Sequence, residues 1–592
     1  MASAGRFSGG DPLERDEIRD GMRITWDTPV TVSDGVTLRA DIYRPLGPAQ
    51  VPPIVSYGIY GKGLAFQEGY PVQWQRMIDK YPEVTAGTSA RYMNWETADP
   101  ERWVPFGYAI VRIDSRGAGR SGGILDPESP RETQDLCECI QWAADQPWST
   151  GRVGLLGISY YAFMQWRAAA LKPPALAAMI PWEGRADAYR DALYHGGIYC
   201  DFKTKWFDLQ VRNVQHGIGD RGRRNPNTGE LVAGPETLDE AALARNRIDR
   251  LGEVRNHRLY DEWHSETNPE LGDIEVPLLS AANWGGQGLH TRGNFEGFTQ
   301  ASSAQKWLEV HGDTHWFHFY TAYGVNLQRR FFDHFLRGED NGWEETPPVL
   351  LNVRRSDGTV LARAEHEWPI ARTVWTELHL DAAAGTLASQ PPADAAARAY
   401  DPFGDGLMFC LPAVESELEI TGPLAAKLFI SCEASDADLF LAIRAFDPDG
   451  REITFQGALD PHTPIANGWL RASHRRLDVA RSLPYRPFHS HDAIEPLAAG
   501  VIYELDIEIW PTSIVLLPGC RLALSVTGHD YEYPGSPGEA DDEFVYAGRG
   551  VGPFTHTDPE MRPPGIFGRP VTLHTGPGHP SRLLVPVIPT DL

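Results

Sequence analysis

A serine between an apolar run and a helix-forming segment is the residue best placed for chemistry in this 592-residue sequence. Ser159 follows the apolar residues 153–156 and Gly157, and residues 160–170 have the composition of a helix. A strand, a sharp turn and a helix are the elements that expose a serine hydroxyl as a nucleophile. The glycine lets strand and helix approach closely around the turn. The pattern predicts a nucleophile, but an ordinary buried serine could have the same surroundings, so its partners must decide.

His315 is the histidine best placed to take the proton of this serine. Serine hydrolysis needs a base, an acid that orients the base, and donors for the oxyanion. His315 follows the predicted strand KWLEVHG and comes after Ser159, which matches the order serine, acid, histidine of α/β-hydrolases. His311 and His318 are alternative bases, and the histidines could also be read as a metal cluster. The glycine and the loop around them argue against the helix that such a metal pair needs, so we favour His315.

Apolar runs without alternation predict the sheet that would position these residues. Strands of this kind, separated by helices, indicate a parallel sheet that is covered on both faces. The carboxyl ends of parallel strands meet at one edge, which would bring Ser159 and His315 together. Besides the strand before Ser159, the runs lie in residues 52–63, 108–123, 175–184, 275–286 and 305–315.

The rest of the chain divides by its texture into further segments. Residues 185–275 are rich in helix formers, aromatic residues and charge, and they are too long for a simple crossover, which predicts an inserted helical cap. After about residue 346, short β-runs and turn residues predict an antiparallel sandwich of the jelly-roll type. The predicted fold class is therefore α/β: an α/β-hydrolase domain with a helical cap, followed by a C-terminal β-sandwich. The predicted boundaries are 1–22 for a flexible leader, 23–184 and 276–345 for the catalytic domain, 185–275 for the cap, and 346–592 for the sandwich.

Composition limits the possible partners and location. The formal net charge of −26 argues against nucleic acid and anionic lipid, which require clustered lysine and arginine. The six cysteines are scattered without a CxxC pair, so neither a zinc framework nor a disulfide scaffold is predicted, and we expect no cofactor and no metal. There is no apolar run of about eighteen residues and no apolar signal core at the N-terminus, so we expect no membrane span and a cytoplasmic location.

Several motifs together carry a resemblance to a known family. They are GISYYA around Ser159, DSRGAGRSGG at residues 114–123, GIYGK around Tyr60, and GWLRASHRRLD at residues 468–478. With the predicted sandwich, the chain resembles the cocaine esterase-like serine hydrolases, which are similar to X-Pro dipeptidyl-peptidases and α-amino-acid ester hydrolases. The resemblance implies Ser159 as nucleophile and His315 as general base. It also implies an oxyanion hole made of the Tyr160 backbone N–H and the Tyr60 hydroxyl, and each such donor is typically worth about 2.7–4 kcal/mol.

The orienting acid departs from the family's pattern. The family has an aspartate just after the strand that ends here in AANWGG, and this position falls on Gly285 or Gly286. Glycine cannot orient an imidazole. Glu183, at the end of the neighbouring strand, is the leading replacement. Glu296 is the second candidate and Asp187 the third.

These residues predict a serine hydrolase that cleaves an ester or amide of a small molecule through an acyl-enzyme. Dipeptidyl-peptidase, α-amino-acid ester hydrolase or acyltransferase activity is the alternative, and the first two would need a carboxylate cluster for the substrate ammonium. A non-catalytic binding protein with a decayed triad is the third hypothesis. A homo-oligomer is also expected, because a large β-sandwich surface is available. The acidic residues of the predicted cap that could bind an ammonium group are Asp187, Asp191, Asp201, Glu262 and Glu266.

Overall fold

The computed structural model describes residues 11–538 and 548–589. Two large β-sheets and one short two-stranded ladder organise this part of the chain. In chain order the strands are β1 (Arg15–Arg19), β2 (Met22–Thr31), β3 (Thr37–Pro45), β4 (Pro53–Gly58), β5 (Ala109–Asp114), β6 (Val153–Ile158), β7 (Leu176–Trp182), β8 (Tyr194–His195), β9 (Ile198–Tyr199), β10 (Leu278–Asn283), β11 (Lys306–His311), β12 (Val349–Arg354), β13 (Val360–Glu365), β14 (Val374–Asp381), β15 (Thr386–Ala388), β16 (Ala396–Tyr400), β17 (Leu407–Cys410), β18 (Leu418–Cys432), β19 (Asp438–Phe446), β20 (Glu452–Ile453), β21 (Ala466–Arg471), β22 (Tyr503–Leu516), β23 (Arg521–Thr527), β24 (Val571–Thr575) and β25 (Arg582–Ile588).

Helices connect many of these strands. The α-helices are α1 (Phe66–Gly69), α2 (Pro71–Lys80), α3 (Pro100–Trp103), α4 (Pro130–Ala144), α5 (Tyr160–Ala170), α6 (Phe202–Trp206), α7 (Glu240–Arg245), α8 (Arg250–Asn256), α9 (Glu262–Thr267), α10 (Thr291–Gln300), α11 (Phe317–Tyr320), α12 (Ala322–Arg337) and α13 (Pro564–Phe567). Tyr189–Leu193 and Phe207–Val211 are π-helical turns. The 3₁₀ turns are Pro82–Thr85, Val104–Phe106, Arg212–Val214, Gly219–Arg221, Leu271–Asp273, Trp343–Glu345 and Ala472–His474.

The first sheet is the predicted parallel sheet. Its order is β1-β2-β3-β5-β4-β6-β7-β10-β11-β12-β13, and all pairs from β5–β4 to β11–β12 are parallel. Every residue of β4, β5, β6 and β10 is buried, because helices pack over the sheet. This burial explains the uninterrupted apolar runs in the sequence. The α/β architecture of the N-terminal part is therefore confirmed.

Local sequence signals account for the longer helices around this sheet. The Ser129 side chain caps α4 by accepting from the Glu132 N–H, and proline occupies the first helical position. Thr321 caps α12 in the same way, and Gly338 ends it in the left-handed conformation. Helix α5, which follows Ser159, is buried along almost its whole length against β6 and β7. The rigid elements that carry Ser159 are thus set by tertiary packing as well as by local signals.

The prediction of a flexible leader over residues 1–22 is wrong for residues 15–19, which form strand β1. Residues 1–10 of the leader lie outside the described residues, but β1 pairs antiparallel with β2. Polar cross-strand bonds hold this edge: the Trp26 indole N–H donates to Glu17 at 2.7 Å, and Arg23 Nε donates to Asp16 at 2.9 Å. The backbone ladder and these polar pairs hold β1 in place. The strand therefore needs no alternation of apolar residues, and its sequence shows none.

The second sheet lies in the C-terminal part and is mostly antiparallel. Its order is β16-β24-β18-β22-β21-β19-β23-β17-β15-β14-β25, and β25 also pairs with β18, so the sheet closes on itself. Two of its joints are single residue pairs, Gly468 with Ile509 and Thr386 with Cys410. The structure therefore has a C-terminal β-domain with a closed sheet, while the finer jelly-roll arrangement stays a prediction.

Polar contacts join the α/β domain to the β-domain near the ends of the parallel strands. Arg292 Nε donates to Glu508 at 2.9 Å, and Arg486 Nη1 donates to Glu296 at 2.6 Å. The Ala458 N–H donates to the Gly285 carbonyl at 2.9 Å. The β-domain thus reaches the edge of the parallel sheet where the predicted site lies. Among the described residues, no helix combines the length and the apolar character needed to cross a membrane.

Candidate active site

The turn after β6 holds Ser159 in a strained backbone conformation. Its φ is 58° and its ψ is −110°, and its main-chain N–H is shared between the carbonyls of Trp182 at 3.1 Å and Glu183 at 3.2 Å. A Cβ atom at Gly157 would lie 2.5 Å from the Cβ of Tyr161, so only glycine lets the strand and helix come this close. A positive φ at a non-glycine residue is costly and is typical of functional turns.

A pocket opens at this turn and brings most of the predicted residues together. The space in it, counted together with the solvent at its mouth, is about 620 Å³. Ser159, His315, Tyr60 and Tyr160 all line it, and so does Glu96, which the sequence analysis did not single out. The β-domain contributes to the wall, which is therefore built from both sheets' domains. The other lining residues are Gln73, Trp95, Arg185, Phe202, Lys203, Trp206, Gln210, Leu289, His290, Ala458, Leu459 and Phe554.

Tyr60 presents a phenol to this pocket. Its hydroxyl oxygen accepts from the Trp206 indole N–H at 3.1 Å, which leaves the hydroxyl proton available for another acceptor. Burial, together with the nearby Glu96 carboxylate, raises the pKa of Tyr60 well above its ordinary value. The phenol therefore keeps its proton across the physiological range, as an oxyanion donor must.

Tyr160 offers its backbone instead of its side chain. It is the first residue of α5, where main-chain N–H groups have no partner within the helix. Its hydroxyl donates to Glu132 Oε2 at 2.6 Å, and its ring stacks on Trp206 at 5.9 Å. The side chain is thus anchored by the protein, while the N–H at the helix start is the group able to meet a negative charge.

His315 is held by Glu96. Its Nε2 lies 2.9 Å from Glu96 Oε1, and its ring stands edge-on to Trp95 at 5.4 Å. The main-chain N–H of His315 donates to the Ala458 carbonyl of the β-domain at 3.3 Å. The carbonyl of Glu96 in turn accepts from the Ile158 N–H at 3.1 Å, next to the serine turn. Glu96 is therefore fixed to the turn at Ser159 by its backbone and to His315 by its carboxylate.

Sequence reasoning missed Glu96 because its surroundings have no readable pattern. The residue lies in an aromatic-rich stretch of turns and short helices between β4 and β5. Glu96 has a φ of 63°, a left-handed conformation that its sequence does not predict. Burial, reinforced by the Glu183 carboxylate, raises the pKa of Glu96 well above the usual value. Perturbed carboxyl groups of this kind are concentrated at functional sites.

Glu183, the leading candidate for the acid, makes its hydrogen bonds to other residues. Its Oε1 lies 2.8 Å from His311 Nε2 and accepts from Asn283 Nδ2 at 3.2 Å. Its Oε2 is buried and has no hydrogen-bond partner within the described residues. Glu183 thus lies behind the pocket, next to Glu96 electrostatically but not among the lining residues. Its role as the acid stays a prediction.

His311 is enclosed by two carboxylates. Its Nδ1 lies 2.7 Å from Glu309 Oε2, opposite the bond to Glu183. Although burial opposes a charge, Glu309 and Glu183 together raise the pKa of His311 to about 10. His311 is therefore a buried imidazolium with both nitrogens occupied, which favours His315 over it as the base.

The other two acid candidates form ion pairs elsewhere. Glu296 binds Arg486 and Gln300, and Asp187 binds Arg190 Nη1 at 2.7 Å. Neither carboxylate lines the pocket.

The two glycines at the family's aspartate position differ in their surroundings. A Cβ at Gly285 would lie 2.4 Å from the Cα of Gly457 in the β-domain, so a side chain there would push the backbone away. A Cβ at Gly286 would lie 3.1 Å from Thr291 Oγ1, which is tight but close to tolerable. The close approach of the β-domain explains glycine at the first position, while at the second position a Cβ atom has nearly enough room.

His195, Cys200 and His556 form the group of ligand types that the described residues bring within 4.8 Å of one another. The ring nitrogens are already used: His195 Nε2 donates to the Asp191 carbonyl at 3.0 Å, and His556 Nδ1 binds Asp530 at 2.7 Å. The inner nitrogens share a 2.9 Å hydrogen bond. Hydrogen bonding alone accounts for both histidines in this arrangement.

Comparison with known proteins gives the same division into an N-terminal and a C-terminal domain. The family model described as "X-Pro dipeptidyl-peptidase (S15 family)" matches residues 34–319, and the model of the "X-Pro dipeptidyl-peptidase C-terminal non-catalytic domain" matches residues 341–584. Cocaine esterase from Rhodococcus sp. (strain MB1 Bresler) is 25% identical over 94% of this chain and 97% of its own length.

Solved structures agree with this result. A CocE/NonD family hydrolase from Staphylococcus aureus is 31% identical, with a TM-score of 0.81, over 96% of this chain and 94% of its own. An α-amino acid ester hydrolase has a TM-score of 0.66 at 17% identity, over 98% of both chains, which is a likeness of fold.

Proposed function

The chain belongs to the CocE/NonD family of hydrolases and is a serine hydrolase, and on that premise we propose that Ser159 cleaves an ester or amide of a small molecule through an acyl-enzyme. The family resemblance that the motifs predicted is confirmed. The observation that carries the proposed chemistry is the pocket in which Ser159, His315 and Tyr60 meet at the strained turn.

The proposed mechanism uses His315 and Glu96 as a coupled base. The imidazole of His315 takes the proton of Ser159 as the hydroxyl oxygen attacks the substrate carbonyl. The bond between Glu96 and Nε2 stabilises the imidazolium that forms. The same proton then goes to the leaving alcohol or amine. Water repeats the sequence on the acyl-enzyme and releases Ser159.

The oxyanion would be stabilised by Tyr60 and Tyr160. The Tyr60 hydroxyl retains its proton, and the Tyr160 N–H stands at the positive end of a helix that is buried along its length. Both groups are held before substrate arrives, Tyr60 by Trp206 and Tyr160 by Glu132. Donors fixed in advance lower the barrier because they need no reorganisation as charge develops.

Carboxyl ester hydrolysis is better supported than peptidase activity. An aminopeptidase-like site would need carboxylates that face the substrate ammonium. Asp187 pairs with Arg190, Asp191 pairs with Arg292 at 2.9 Å, and none of the acidic residues predicted for that role lines the pocket.

The predicted domain boundaries and the jelly roll belong to this proposal. Residues 185–275 supply Arg185 and Trp206 to the pocket wall, which supports their role as a cap. The two single-pair joints of the closed sheet are where a sandwich would divide into its two layers. The cytoplasmic location and the homo-oligomer stay predictions.

The test is replacement of the nucleophile. Ser159→Ala should abolish turnover of 4-nitrophenyl acetate and labelling by a fluorophosphonate probe, because no other group forms the acyl-enzyme. Ser302→Ala, at an exposed serine that bonds the Gly272 carbonyl, is the matched control and should keep both signals. Turnover that survives in Ser159→Ala would refute the mechanism. A wild-type protein that neither labels nor turns over would support the binding-protein hypothesis instead.

A further inference from the structure

Two cations lie in the wall of the same pocket. Arg185 is 4% exposed and Lys203 is 7% exposed, and both line the pocket with Ser159. Aromatic rings hold them: the Arg185 guanidinium lies 4.1 Å from the Phe163 ring centroid, and Lys203 Nζ lies 4.0 Å from that of Trp206. Buried cations in a substrate pocket require a balancing charge.

Their balancing charge is incomplete. Arg185 Nη2 and Lys203 Nζ both donate to the same oxygen of Glu128. Arg250, which also acts on Glu128, has its own partner in Asp126 at 2.8 Å. One carboxylate therefore serves both basic side chains.

Unused hydrogen-bond capacity lies beside this charge. Arg185 Nη1 is buried and has no hydrogen-bond partner among the described residues. The same holds for Nδ1 of His290, a residue that is 4% exposed and lines the pocket. Burial lowers the pKa of His290 well below its usual value, so its neutral ring would donate to an anion through the tautomer that carries the proton on Nδ1. A buried group left without a partner is costly, and a charged donor binds a carboxylate more strongly than a neutral acceptor.

We propose that Arg185, Lys203 and His290 form a subsite for a carboxylate, so that the preferred substrate is an ester or amide that also carries a free carboxylate group. This inference rests on the proposed function, because it names the substrate class of the same site. The planar guanidinium suits a two-oxygen anion, which one unpaired N–H of Arg185 and the Lys203 ammonium can share. The same charges repel the ammonium group of an aminopeptidase substrate.

The state of Lys203 agrees with this assignment. Burial, followed by the Arg185 charge, lowers the pKa of Lys203 to about 7. A bound carboxylate would favour the protonated ammonium and restore its full charge. The bound carboxylate would thus add to Glu128, which already accepts a hydrogen bond from this lysine.

The test compares esters that differ chiefly in charge. On the leaving-group side the set is 4-acetoxybenzoate, its methyl ester, and 4-(aminomethyl)phenyl acetate. On the acyl side it is monophenyl glutarate and its methyl ester, each corrected for hydrolysis without enzyme. We expect kcat/KM to be at least about tenfold higher for the carboxylate member of one set, as a desolvated ion pair would give.

Variants then assign the preference to residues. Arg185→Gln and Lys203→Met should bring the ratio of carboxylate to methyl ester toward one. Lys205→Met is the control, because Lys205 Nζ bonds Thr555 Oγ1 at 3.3 Å and the residue does not line the pocket; its ratio should stay that of the wild type. Should the pocket variants not fold, protection of the wild-type Ser159 from a fluorophosphonate by 4-hydroxybenzoate, against its methyl ester, measures the same preference.

The outcomes separate this inference from the function on which it rests. If no ester in either set is hydrolysed, the proposed function fails. If kcat/KM for the methyl esters equals that for the carboxylates in both sets, the function stands and the subsite is refuted. Preference for the aminomethyl ester would also overturn the subsite, in favour of an ammonium site.

Discussion

Replacing Glu96 by glutamine tests the carboxylate that contacts His315. The change keeps the shape of the side chain and its ability to accept a hydrogen bond, but it removes the charge next to Nε2. Glu96 is 2% exposed, so water cannot replace that charge. The imidazolium formed when Ser159 gives up its proton would then lack its counter-ion.

The size of the effect follows from the geometry. The two atoms are 2.9 Å apart, so the charge centres lie at roughly 4 Å, where opposite charges attract by about 4 kcal/mol at an effective dielectric constant of 20. At about 1.4 kcal/mol per tenfold change in rate, this corresponds to a loss of roughly 10³ in kcat. Loss of the acid in a serine triad can reach about 10⁴, which sets the upper end.

The measurement is kcat for 4-nitrophenyl acetate across pH 6–10. Rates should be compared on the alkaline plateau, because burial and Glu183 raise the pKa of Glu96 and its carboxylate ionises late. Glu296→Gln is the control for loss of a buried carboxylate in the same domain, since Glu296 pairs with Arg486. Thermal unfolding of each variant checks that the fold is retained. If Glu96→Gln stays within tenfold of wild type while Glu183→Gln loses 10³, the acid is Glu183 and the assignment of Glu96 is wrong.

Three further perturbations test other parts of the structure. Tyr60→Phe should lower kcat by about 10²–10³ with little change in KM, because one oxyanion donor is lost, and a change below tenfold would exclude the hydroxyl from that role. Glu183→Gln should move the acid limb of the pH profile of kcat/KM to lower pH, because removing a negative neighbour lowers the raised pKa of Glu96; a limb that stays in place would contradict their coupling. Gly285→Ala should lower the apparent Tm, since its Cβ would lie 2.4 Å from a backbone carbon of the β-domain and crowding of this kind typically costs about 1–3 kcal/mol. Gly272→Ala, with no atom within 4 Å of its Cβ, should change the Tm much less.

The turn at Ser159 and the parallel sheet around it could be predicted from the sequence alone. The residues on either side of Ser159 have local signals for their own structure. They are an apolar strand, a glycine that permits close contact, and a helix. The parallel sheet was predictable for a similar reason, because strands buried on both faces have uninterrupted apolar residues. The order of Ser159 and His315 added a constraint of topology. Each of these signals is contained within one stretch of about twenty residues or in the order of such stretches.

The partner of His315 could not be read in this way. Glu96 and His315 are 219 positions apart, and Glu96 lies among turns and short helices whose path is set by packing against the sheet. Glu183 was inferred from its place at a strand end, and it does lie near the site, but its carboxylate binds His311. A strand end gives the position of a backbone; the direction of a long side chain depends on which buried groups compete for it.

The sequence by itself determined the turn at Ser159, the parallel sheet and the family, because these depend on local patterns and their order. Only the tertiary structure decided which carboxylate meets His315, that Arg185 and Lys203 share a single balancing carboxylate, and that the β-domain lines the pocket with Leu459 and Phe554. These features join residues that are far apart in the chain. Their energies depend on burial and on distances of a few ångströms, and both exist only once the chain has folded.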